Sequence, residues 1–118
     1  MKYELFKGEV VITQPDIGVR WRGKPDGFPA KAVLPLPGSD DAVVLLDHMA
    51  GPKNFANLIR LAPDGRVLWR LAPPEGSTND AYVDLRWRGD QLLANSWSGY
   101  LVRIDAASGQ MTSSEFVK

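Results

Sequence analysis

The stretch NLIRLAPDGRVLW, Asn57–Trp69, reads as a strand, a tight turn and a second strand. Leu58, Ile59 and Leu61 are the apolar residues leading into Pro63-Asp64-Gly65, whose proline and glycine suit a turn. Val67, Leu68 and Trp69 lead out of it. A related hairpin follows at YLVRIDAASGQMT, Tyr100–Thr112. Leu58-Ile59-Arg60-Leu61 matches Leu101-Val102-Arg103-Ile104, and Gly65 and Val67 match Gly109 and Met111.

Upstream, Asp41–Leu46 matches Asp90–Asn95, and the first copy carries the longer connection between this strand and the hairpin. Each copy therefore reads as four strands. The first has Ala32–Leu36, Ala42–Leu46, Asn57–Leu61 and Val67–Leu71. The second has Tyr82–Trp87, Gln91–Asn95, Tyr100–Asp105 and Met111–Phe116. Ahead of them, Tyr3–Phe6 and Val10–Ile12 form a hairpin around Lys7-Gly8, and Val19–Arg22 is a further short strand. Gly and Pro interrupt every window in which a helical period could develop, so no helix is expected. The expectation is an all-β chain of antiparallel four-stranded meanders. It forms a single domain over residues 1–118, with an N-terminal hairpin at 1–13 and blade-like repeats at 30–72 and 81–117.

LAPDGRVLW and IDAASGQ resemble the blade repeat of quinoprotein-like and WD40-like β-propellers. In that family a Pro-Asp-Gly or Asp-x-x-x-Gly turn closes the outer hairpin, and a tryptophan four residues past the glycine packs between blades. The resemblance covers about Ala32–Phe116. Gly65 and Trp69 fit it; the second copy departs, with Ser113 where the tryptophan would stand. The ending SWSGYLVRIDAASG also resembles that of short stand-alone bacterial proteins of unknown function. The resemblance implies blade-like sheets and carries no activity. Two blades and a hairpin are too few for a closed ring. The expected outcomes are a compact sandwich or barrel, which is favoured, or a homo-oligomer whose subunits complete a propeller.

The chain of 118 residues carries 14 Lys plus Arg and 14 Asp plus Glu, a zero balance that argues against nucleic acid or an anionic membrane as partner. It has no cysteine, which excludes disulfides, thiolate chemistry and cysteine-based zinc sites and suits the cytoplasm. No signal peptide or membrane span is visible. The single histidine, His48, follows Asp47, but neighbours in an extended chain point opposite ways. No nucleophile elbow, phosphate loop, dinucleotide fingerprint or metal-ligand spacing accompanies it. The expectation is no enzyme, no cofactor, no metal and no catalytic residues.

Binding is expected instead, with His48, Phe55, Arg86, Arg88, Trp97 and Tyr100 as candidates. His48 and Phe55 sit in the extra loop of the first copy, where repeat scaffolds often place function. Phe55 could equally cover an end of the core. RWRG occurs at Arg20–Gly23 and Arg86–Gly89. On a strand its arginines share one face, able to grip an anion, while the tryptophan faces the other way. Trp97-Ser98-Gly99-Tyr100 sets two aromatics at a tight turn, where they would anchor a protein contact or stack on a sugar, or else pack in the core. The expected function is a small protein-binding module, for which an inhibitor or immunity type would suit the chain; the alternative is an oligomeric lectin-like carbohydrate binder that stacks sugars on Trp21, Trp87 or Trp97.

Overall fold

The structure, a computed structural model, describes residues 1–52, 54–74 and 79–117; residue 53, in the longer connection of the first copy, lies outside them. Eleven strands are formed in the described residues. β1 (Lys2–Phe6), β2 (Glu9–Gln14) and β3 (Gly18–Gly23) make a first antiparallel sheet. β4 (Ala30–Pro35), β5 (Ala42–Leu46), β6 (Leu58–Leu61) and β7 (Val67–Leu71) make a second. β8 (Tyr82–Arg88), β9 (Gln91–Ser96), β10 (Tyr100–Asp105) and β11 (Gln110–Phe116) make a third. Within each sheet every strand pairs with its neighbours in sequence, so both expected four-stranded meanders are present, and no sheet closes into a barrel.

Two details differ from the expectation. Val19–Arg22 joins the N-terminal hairpin, extended to Gly18–Gly23, because Ile12 pairs with Trp21 and Val10 with Gly23. A single 3₁₀ turn forms at Pro25–Gly27, with Pro25 at its start and Asp26 in the left-handed region at φ 55°. That turn is too short to have left a helical period in the sequence.

The sheets stack face to face in chain order, and the second is covered on both sides. Its β5, AVVLL, is buried throughout because alternate residues serve different neighbours. Val44 and Leu46, with Ile59 and Leu61, pack against Val10 and Ile12 of the first sheet. Val43, Leu45 and Leu58 pack against Tyr82, Leu85, Leu92, Ala94, Val102 and Ile104 of the third.

The three outer hairpins are constructed alike. Each carries a register shift at the same place, between Ile12 and Thr13, Arg60 and Leu61, and Arg103 and Ile104. In each, the last turn residue donates its N–H to the residue that opens the turn: Ile17 to Gln14, Gly65 to Ala62 and Gly109 to Asp105. Trp21 lies against Gly65, and Trp69 lies against Gly109. Both glycines have positive φ, 89° and 75°, and a side chain on either would collide with the indole. Trp69 Nε1 also donates to the carbonyl of Ala106 at 2.8 Å. Arg60 reaches the same carbonyl at 3.0 Å while pairing with Asp41 at 2.7 Å, so Asp41 of the Asp40-Asp41 turn serves to join the second and third sheets.

Candidate functional site

Alternating strand directions bring the β5–β6, β7–β8 and β9–β10 connections to one end of the stack. There they surround a cavity of about 430 Å³. Its walls come from His48, Met49, Gly51, Pro52 and Asn54 of the first connection, Asn79, Asp80 and Ala81 of the second, and Trp97 of the third.

Buried polar side chains fix these loops to one another. Asn57 is fully buried at the end of the first connection. Its Nδ2 donates to the carbonyls of Leu46 (3.2 Å) and Tyr82 (2.8 Å), and its Oδ1 accepts from Tyr82 N (3.0 Å). An amide is suited to this bridge because it both donates and accepts. Asp80, 1% exposed, fastens the second connection to the third. Its carboxylate accepts from Ala81 N (2.9 Å), Ser98 N (2.9 Å) and Ser98 Oγ (2.5 Å). Burial alone would raise its pKa, but these donors outweigh it and hold the carboxyl below the usual range. Asp80 N in turn donates to Asn54 Oδ1 at 2.6 Å.

His48 stacks beside Trp97, ring centroids 6.5 Å apart and planes 25° from parallel. His48 Nδ1 is buried and has no hydrogen-bond partner among the described residues. Asp47 does not orient this ring: its Oδ1 accepts from Met49 N at 3.0 Å and shapes the loop. Asp80 is committed to Ser98 and Ala81. Among the described residues no carboxylate is bonded to His48, and no group of three or more His, Asp or Glu side chains gathers as a metal site.

Met49 is 81% exposed and Trp97 66% exposed, so the cavity carries a large apolar rim. Of the six residues singled out in the sequence, the structure brings His48 and Trp97 together here. Phe55 stands behind the loop, its ring 4.9 Å from Phe28 and close against Gly51 of the wall, covering an end of the core between the first two sheets. Tyr100 packs in the layer between the second and third sheets and meets Phe116 edge-on at 5.6 Å. Arg86 and Arg88 lie on the outer face of β8, away from the cavity, and Arg86 is bonded to Asp84 and Asn95. The flanking arginines of the other RWRG are likewise engaged locally, Arg20 with Gln14 and Arg22 with Glu9. Asn54, Asn57, Asp80 and Ala81 were not singled out. Their partners are remote in sequence, and no spacing rule announces them.

Residues 33–116 match a domain of unknown function, DUF7957. The chain belongs to the DUF7957 family. The match takes in both four-stranded sheets apart from the start of β4, and all three connections that line the cavity, so the candidate site lies wholly within the DUF7957 domain. No curated protein matches the chain. No helix of the described residues is long and apolar enough to cross a membrane.

Proposed function

We propose that this DUF7957 domain is a small protein-binding module whose cavity receives an apolar side chain from its partner. The observation that carries the reading is the rim: Met49 and Trp97 stand exposed over a cavity in whose wall the Asp80 carboxylate is already satisfied from within. Large exposed aromatics beside an apolar recess are typical anchors of protein interfaces. A catalytic reading lacks support, since His48 has no titratable partner bonded to it among the described residues. The stack of meanders joined by tryptophan–glycine contacts supports the propeller-like reading of the architecture. The absence of cysteine supports a cytoplasmic setting, and an inhibitor-type role suits a small single domain.

The carbohydrate alternative rests on Trp97 alone. Trp21 and Trp87 are half-buried in the layers between sheets. One face of Trp97 is shadowed by His48, and the Asp80 oxygens that would hold sugar hydroxyls are occupied. The test is affinity capture with the wild-type domain and with the Trp97→Asp, Met49→Asp double variant. A stoichiometric protein retained by the first and lost by the second is the expected result. Retention by both, or a change of Trp97 fluorescence on sugar titration with no protein captured, overturns the reading.

A further inference from the structure

The first sheet is one strand short of the other two, and the shared hairpin construction shows which strand is missing. β3 corresponds to β7 and β11, because Trp21, Trp69 and Ser113 occupy the same position opposite Ile12, Arg60 and Arg103. β2 then corresponds to β6 and β10, and β1 to β5 and β9. The position without a hydrogen-bonded strand is the one filled by β4 and β8, along the outer edge of β1; β4 itself packs close to β1, and its Ala30 N–H donates to the Gly8 carbonyl at 2.7 Å.

In the layer between the second and third sheets this position is substantial. β4 supplies Ala32 and Leu34, and Leu36 follows directly after it, three apolar residues at a spacing of two. The layer between the first and second sheets has no such row, and only Met1 and Tyr3 reach the core at that edge.

The backbone of β1 is suited to receive it. Phe6 pairs with Glu9 across Lys7-Gly8, a two-residue turn with both φ values positive (50° and 82°). In a hairpin of this type the closing pair is hydrogen-bonded and the bonding alternates. Lys2, Glu4 and Phe6 therefore face β2, and Tyr3 and Leu5 turn their N–H and C=O groups to the free edge. β1 pairs with β2 without a register shift, and it contains neither the proline nor the bulge that commonly blocks an edge, whereas β4 ends in Pro35.

We infer that the edge of β1 is a strand-docking site: an extended segment of a partner protein, apolar at alternate positions, pairs antiparallel with Lys2–Phe6 and completes the first sheet. The antiparallel sense follows from β4–β5 and β8–β9. The alternation follows from the core layer it would extend. Strand addition of this kind takes affinity from the backbone and specificity from every second side chain.

The test uses synthetic peptides copying Ala30–Leu36 and Tyr82–Arg88, the strands that fill this position in the other sheets, with permuted peptides of the same composition as controls. Amide exchange at Tyr3 and Leu5 is followed by NMR. The expected result is exchange slowed roughly tenfold or more by at least one copied peptide and unchanged by its control. Leu5→Pro, which removes an edge N–H and keeps the bonds to β2, abolishes the effect; Trp97→Ala, at the separate cavity, retains it. An unchanged β6 exchange pattern shows that the Leu5→Pro variant is folded. No slowing in millimolar peptide, or equal slowing by the permuted control, overturns the inference. So does protection of both amides in the peptide-free protein together with a doubled molar mass, which would assign the edge to a second copy of the chain.

Discussion

Gly65 and Gly109 hold their places because an indole occupies the space a side chain would need. Gly109→Ala combines a collision with Trp69 and a positive φ of 75°, so a loss of about 2–4 kcal/mol is expected in urea denaturation. Gly38→Ala has positive φ too, but nothing lies within 4 Å, and the cost should be nearer 1 kcal/mol. Asp80 carries an acid dependence. Its folded pKa lies below its unfolded value, so its contribution is full above an unfolded pKa of about 3.9 and is lost as the pH falls through the lower folded value. Denaturation midpoints of the wild type and Asp80→Asn should therefore converge as the pH drops below about 4, the variant being flatter across that window. The tryptophan–glycine seat could be anticipated from the Gly65–Trp69 spacing. Asp80 and Asn57 could not, because they act on residues 18 and 25 positions away, and a polar residue in a loop looks the same whether it fixes the loop or faces water.

The strands were largely readable because alternation of apolar residues survives wherever one face is buried, as in Asp84–Arg88; at the start of that strand a register shift between Tyr82 and Asp84 breaks the alternation and buries Tyr82 with Leu85. β5 was readable for the opposite reason, since a run of five apolar residues fits a strand covered on both faces. Val19–Arg22 offered one tryptophan between two arginines, too little to name the sheet it joins. The hairpins differ in how firmly they dock on the next sheet. Trp69→Phe keeps most of the packing and loses the bond to Ala106, whose carbonyl retains Arg60; a cost of about 1 kcal/mol is expected. Trp69→Ala empties the layer and should cost about 3–5 kcal/mol. Chemical denaturation of both variants separates the bond from the packing.

The stack carries stop signals at both ends. Ile17, 70% exposed, stands where the other two hairpins have Gly65 and Gly109, so the first sheet offers no seat for another indole. Ser113 stands where Trp69 and Trp21 stand, so the third sheet offers no indole to seat. The outer face of the third sheet bears Asp84, Arg86, Asn95 and Arg103, and that of the first bears Lys2, Glu4, Glu9 and Arg22 beside the exposed Phe6 and Val19. Terminal repeats with polar outer faces cap an array. Light scattering on a gel-filtration column should give the mass of one chain, 13.0 kDa, in place of the ring-completing oligomer; a stable dimer or trimer would contradict the capping. The double burial of the second sheet has a further consequence during synthesis. The first sheet precedes it and can cover one face as it emerges, but the other face waits for the third sheet. Until then Val43 and Leu45 belong to a short, uncharged, β-prone segment without proline, the composition that seeds intermolecular aggregation. Asp40 and Asp41 on one side and Asp47 on the other flank it at once with negative charge. These aspartates guard the nascent chain as well as shaping the finished one.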